Sequence, residues 1–156
     1  MTITFKSNLT TKNRTYLEHA LEAYNFSKNS YMNPAIYDHL ENFGFYAYDQ
    51  GELVGGAYGS LDDGYWCHLK LLFVEEAYRN QNIATRLMQQ VEEFAHAHHC
   101  MGIRTETWSF QARGFYEKLG FVLYGQLDNH PPTATEYLLK KVLITNTADF
   151  PAPLSL

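Results

Sequence analysis

Cysteine is scarce in this chain. Cys67 and Cys100 are the only two in 156 residues, and they stand far apart. Two thiols so placed make neither a disulfide framework nor a zinc motif, and a reducing compartment is the default. An excess of basic residues is missing too. Twelve Lys and Arg against seventeen Asp and Glu leave a net charge of −5. That balance argues against a general nucleic-acid binder, which carries a basic face, and it suits a cationic substrate through field steering. No apolar run approaches the length that spans a bilayer, so no membrane partner is expected. The first residues have neither the charged start nor the apolar core of a signal peptide, and a cytoplasmic location is expected. Linkers, low-complexity tracts and internal repeats are absent. One domain with a real core is therefore expected over residues 1–143, followed by a tail over 144–156. What is abundant is aromatic: twelve Tyr and ten Phe, enough to fill a core and line a cleft.

Ile3 to Phe5 reads as a short strand. Thr10 or Thr11 caps a helix to about Tyr24, with Tyr16, Leu17, Ala20, Leu21 and Tyr24 on its apolar stripe. Pro34 opens a shorter helix through Leu40. Phe43–Tyr48 and Leu53–Ser60, joined by Asp49-Gln50-Gly51, form an antiparallel hairpin. Its glycines, Gly55, Gly56 and Gly59, mark a bulge or a close backbone approach. Asp62-Asp63-Gly64 turns the chain into a strand from Tyr65 to Val74. Alternation along that strand puts Trp66, His68, Lys70, Leu72 and Val74 on one face, and Cys67, Leu69, Leu71 and Phe73 on a core face. A helix from Gln81 to about His99 carries Ile83, Leu87, Val91, Phe94 and Ala95 on its apolar stripe, with Gly102 just past its end. A strand Ile103–Trp108, a short helix Gln111–Leu119 and strands Phe121–Leu127 and Glu136–Leu143 complete the order. The unit from Tyr65 to Trp108 predicts a right-handed parallel crossover in a sheet otherwise built of hairpins. The fold class is thus mixed α+β, a central, mostly antiparallel sheet with helices on both faces.

The stretch LLFVEEAYRNQNIATRLM, Leu71 to Met88, carries the chemistry. A buried strand feeds a helix through a tight polar turn. The first turn of such a helix offers unpaired N–H groups and a partial positive charge, a ready site for phosphate. Arg79 stands at its mouth with a permanently charged planar donor. His68 and Lys70 are unusual in a mostly buried strand, so their face either meets water or lines a cleft. His96, His98, His99 and Cys100 have spacing that can hold a metal, but a solvated helix end explains them more simply, and no metal is assigned. Tyr24, Tyr31, Tyr37 and Trp108 are candidates for a box around a cation.

Two blocks resemble the GNAT superfamily of N-acetyltransferases. Arg79-Asn80-Gln81-Asn82-Ile83-Ala84 is similar to that family's phosphate loop, Q/R-x-x-G-x-G/A, with Asn82 in place of the first glycine. Asn is the next most tolerant residue for left-handed backbone. Ser109-Phe110-Gln111-Ala112-Arg113-Gly114-Phe115-Tyr116-Glu117-Lys118-Leu119-Gly120-Phe121 is similar to N-x-x-A-x-x-x-Y-x-x-x-G-F, with Ser109 in place of the Asn that contacts the pantetheine arm. The resemblance covers about residues 2–143. It implies a sheet of about seven strands with about four helices, acetyl-CoA as co-substrate, and direct attack by an amine on the thioester. It places the pantetheine arm along Leu72, Phe73 and Val74, and the diphosphate on the amides from Arg79 to Thr85, including Asn80, Gln81, Asn82, Ile83 and Ala84. Ser109 and Ala112 join this coenzyme site. Tyr116 matches the general acid for the departing thiolate, since a phenol of pKa about 10 stays protonated at neutral pH. His68 falls where some members carry the base for the amine, and Glu106 is its rival. Glu75 and Glu76 follow the strand and solvate the turn. The implied activity is acetyl transfer to a primary amine of a small molecule or of a peptide. The alternative is a non-catalytic acyl-CoA-binding or dimerising module, and a homodimer is a possible partner state.

Overall fold

The computed structural model describes residues 3–7, 9–35, 40–62 and 64–153. Two compact units divide it, residues 1–38 with 152–156, and residues 39–151. The smaller contains α1 (Thr11–Lys28), whose first turn is capped by the Thr10 hydroxyl, 3.1 Å from the Asn13 N–H that donates to it. Residues 3–7 form no strand. The expected Ile3–Phe5 strand is corrected accordingly: three residues of strand-favouring type hold that geometry only when a neighbouring strand pairs with them. The helix expected from Pro34 to Leu40 lies largely outside the described residues.

The larger unit is a six-stranded sheet. Its strands are β1 (Asn42–Asp49), β2 (Glu52–Asp62), β3 (Trp66–Val74), β4 (Gly102–Trp108), β5 (Val122–Asp128) and β6 (Thr135–Val142), in the order β1-β2-β3-β4-β6-β5. Every neighbouring pair is antiparallel except β3 and β4, which run parallel across the connection through α2 (Ile83–Ala97). A short helix, α3 (Arg113–Lys118), precedes β5. Six strands and three α-helices among the described residues replace the expected seven and four. No helix among the described residues is long and apolar enough to cross a membrane.

The apolar stripe of α2 explains where the core sits. Leu87, Met88, Val91 and Ala95 recur at helical spacing and are buried on the face of the sheet that presents Ala57, Cys67, Leu69, Ile103 and Leu139. Burial pushes the Cys67 thiol up to about 12 and Cys100 up to about 11, so both are inert core groups. The left-handed residue after α2 is His99 (φ 53°), not Gly102, which instead opens β4. A Cβ at Gly102 would stand 2.7 Å from the Trp66 ring.

One irregularity shapes the site. On β2, Gly59 faces Leu69 and Tyr58 faces Leu71, so Lys70 has no partner and bulges out of the ladder. A bulge inserts one residue, and every side chain beyond it changes face. Cys67 and Leu69 point into the core. After Lys70 the inward residues are Leu72 and Val74, while Leu71 and Phe73 are 63% and 56% exposed. The expected core role of Leu71 and Phe73 is therefore corrected. Pairing with β4 stops at the same level, with Leu69 opposite Thr105 as the last pair. Beyond it β4 pairs only with β6. The ends of two parallel strands part, and the sheet opens.

Candidate active site

The parted strand ends form a cleft of about 840 Å³. One wall is the end of β3, including Leu72, Phe73 and Val74. The other is the end of β4 with Gln111, Ala112 and Tyr116, and the start of α2 closes one end. At that end Asn80 and Asn82 both adopt left-handed backbone with φ 60°. Asn82 is the N-cap of α2, but its side chain makes no capping bond. The first helical bond runs from the Arg86 N–H to the Asn82 carbonyl, 3.0 Å. The amides of Ile83, Ala84 and Thr85 precede it, and all three residues line the cleft. Together they present N–H groups without intrahelical partners at the positive end of a fifteen-residue helix, geometry suited to an anion. Arg79 ties the loop to the strand. Its Nε donates to the Val74 carbonyl at 3.0 Å, and its guanidinium lies 5.8 Å from the Phe73 ring centre. Gln81 turns away, with Nε2 donating to the Ala77 carbonyl at 3.2 Å, and is not part of the wall.

The loop gives a direct expectation. Asn82→Gly keeps the left-handed geometry, and CoA affinity by calorimetry stays within about twofold of the parent. Asn82→Val places a β-branched side chain where it is strained, and lowers stability by about 1–2 kcal/mol with a clear loss of CoA affinity. Equal affinities for the two variants would exclude a backbone role for this position.

Tyr116 lines the cleft from α3 and is only 7% exposed. Its ring packs edge-on against Phe115 and Phe121, at 5.3 and 5.6 Å between centres. Burial pushes its phenol up, and a hydrogen bond with Thr105 partly opposes that. The group is therefore a protonated donor at neutral pH. Ser109 is not on the wall. Its hydroxyl accepts from the Thr135 N–H at 3.2 Å and its own N–H donates to the Thr135 carbonyl at 2.8 Å, which pins it to β6.

Four charged or titratable side chains close a ring on the opposite face of the sheet. His68 Nε2 is 2.7 Å from Glu106 Oε2, and His68 Nδ1 is 3.4 Å from Asp62 Oδ2. Arg104 donates through Nη1 to Glu106 Oε1 at 2.8 Å, and through Nε (2.8 Å) and Nη2 to Asp62 Oδ2. Period-two spacing on β4 aims Arg104 and Glu106 the same way. Glu106 lines the cleft and His68 stands behind it. The hydrogen bond from His68, helped by Arg104, holds the Glu106 carboxyl below its ordinary range against the pull of burial. Glu106 is thus a carboxylate facing the cleft.

Of the residues read from the sequence, Leu72, Phe73, Val74, Arg79, Asn80, Asn82, Ile83, Ala84, Thr85, Ala112 and Tyr116 come together on this one cavity; His68, Gln81 and Ser109 do not touch it. Trp108 lines it as well, whereas Tyr37 lies outside the described residues. His98 is engaged elsewhere, with Nδ1 2.8 Å from the Phe94 carbonyl and Nε2 2.9 Å from Glu41. Among the described residues no group of three metal-ligating side chains forms. Sequence reasoning missed Asp62, Arg104 and Gln111. The common face of Arg104 and Glu106 was the only available signal for the ring.

Comparison with known proteins places the chain in a family. The acetyltransferase (GNAT) family profile matches residues 13–121. A blasticidin-S acetyltransferase from Streptomyces morookaense is 38% identical over 106 residues, 67% of this chain and 77% of that protein. A crystal structure of an acetyltransferase from Bacillus cereus superposes with a TM-score of 0.75 at 26% identity, covering 90% of this chain and 98% of that one. An aminoglycoside 6'-N-acetyltransferase solved with coenzyme A is similar in fold, with a TM-score of 0.62 at 23% identity over 75% of this chain and 78% of that one. This chain belongs to the GNAT family of acetyltransferases.

Proposed function

We propose that the cleft holds acetyl-CoA and passes its acetyl group to a primary amine of a small molecule by direct attack. The observation that carries this reading is a single cavity joining the free amides of Ile83, Ala84 and Thr85 to Tyr116 and Glu106. The diphosphate sits on those amides. The pantetheine arm runs between the parted ends of β3 and β4, where β3 has lost its parallel neighbour and its peptide groups are open to pairing. A peptide N–H beside the thioester carbonyl stabilises the oxyanion. The amine nitrogen attacks the carbonyl carbon, the C–S bond breaks, and Tyr116 gives its proton to the thiolate. The proton lost by the amine goes to the Glu106–His68 pair, in which Glu106 meets the substrate and His68 holds the carboxylate in place. The ionised carboxylate also favours a cationic acceptor, as does the net charge of −5. The likeness to a blasticidin-S acetyltransferase supports a small-molecule acceptor over a protein one.

The test is thiol release from acetyl-CoA in the presence of a panel of amines, blasticidin S among them, with the acetylated product identified by mass. Release with at least one amine supports the reading. No release with any of them, while CoA still binds, would point to the non-catalytic acyl-CoA-binding alternative.

A further inference from the structure

Ser109 occupies the position where a side chain was expected to hold the pantetheine arm, and it is bound to the β6 backbone instead. Two residues on, Gln111 does line the cleft. It is fixed by three hydrogen bonds. Its N–H donates to the Trp108 carbonyl at 2.8 Å, and its Oε1 accepts from the Trp108 N–H at 3.0 Å and from the Thr107 hydroxyl at 3.1 Å. Thr107 is itself only 2% exposed, so the anchor is rigid.

The orientation of a side-chain amide usually has to be chosen from its surroundings. Here the Trp108 N–H can only donate, so the atom facing it must be the amide oxygen. The amino end is thereby fixed. It carries two N–H donors, and neither has a protein partner among the described residues. Gln111 lines the cleft, so this anchor holds its two unpaired N–H donors at the wall of the cavity.

Resting on the coenzyme reading above, we infer that Gln111 binds a pantetheine amide carbonyl through Nε2, in place of the side chain that Ser109 lacks. It is a coenzyme-positioning residue and takes no part in proton transfer. A locked donor loses little freedom on binding, which is why a neutral amide suffices here.

The experiment compares two probes by calorimetry: CoA, and adenosine 3',5'-diphosphate, which has no pantetheine arm. Gln111→Glu keeps an oxygen toward Trp108 and Thr107 but replaces the donors with a second oxygen. CoA affinity is expected to fall about tenfold, the scale of one unmade hydrogen bond, with affinity for adenosine 3',5'-diphosphate unchanged. Gln111→Met, which removes the donors and the Oε1 anchor together without adding charge, shifts CoA affinity in the same direction. Equal losses for both probes overturn the assignment, because they report a disturbed loop. Unchanged CoA affinity in either variant overturns it as well. A parent chain that binds neither probe overturns the coenzyme reading itself, and this assignment with it.

Discussion

Tyr116→Phe is expected to lower kcat by roughly 10²-fold or more, the usual worth of a positioned general acid, while the KM for acetyl-CoA stays within about twofold. The exchange removes one oxygen. Both ring contacts, with Phe115 and Phe121, survive it, so the wall of the cleft keeps its shape. What disappears, on the proposed mechanism, is the proton given to the departing thiolate. A donor with a more acidic thiol as leaving group needs that proton less, so the deficit of the variant narrows with such thioesters. The same phenol contributes to the alkaline behaviour, together with the buried thiols of Cys67 and Cys100. Its folded-state pKa lies above the unfolded value of about 10. Above that pH the folded chain binds more protons than the unfolded one, and stability falls as pH rises further. Tyr116→Phe abolishes that contribution to the alkaline loss. A kcat unchanged by the substitution, or a deficit indifferent to the leaving group, removes Tyr116 from the acid role and leaves it a core ring.

Most of the element order, the parallel crossover and the strand–turn–helix at Leu71–Met88 were legible because each rests on local rules: period two, period 3.6, and a polar turn between them. Asn82 shows how well a local rule can serve. Its tolerance for left-handed backbone is an intrinsic property, and φ 60° is what the fold demands of it. Lys70 shows where local rules stop. Nothing in WCHLKLLFV announces an extra residue, because the bulge exists only relative to β2. One unpaired lysine reversed the faces of Leu71, Leu72, Phe73 and Val74, at the level where β3 and β4 stop pairing. The charged ring was illegible for a related reason. Asp62 and Arg104 lie 42 residues apart, His68 and Glu106 lie 38 apart, and only the parallel register of His68 against Arg104 brings them together. Ile3–Phe5 failed in the opposite sense, with strand-forming residues that form no strand.

Glu106→Gln carries the second large effect. The kcat/KM for the amine is expected to fall roughly 10²- to 10³-fold at neutral pH, with the KM for acetyl-CoA little changed. The carboxylate receives His68 on one oxygen and Arg104 on the other. A glutamine offers one oxygen and one amino group. Whichever way it turns, its amino group faces one of those two positions, and Arg104 can only donate. The settled arrangement turns the oxygen to Arg104 and the amino group to His68, and it removes the negative charge from the cleft. Stability follows the same carboxylate. Its folded pKa lies below the unfolded value of about 4.3. Its contribution is therefore present above that pH and is lost as pH falls through the folded pKa. The parent and the variant converge in acid unfolding and separate at neutral pH. Rate against pH then divides binding from proton removal. At high pH more of the amine is already free, so a variant that lacks only the proton acceptor recovers toward the parent. A deficit that stays constant across pH assigns Glu106 to holding the cation alone, and it would return the base to solvent water.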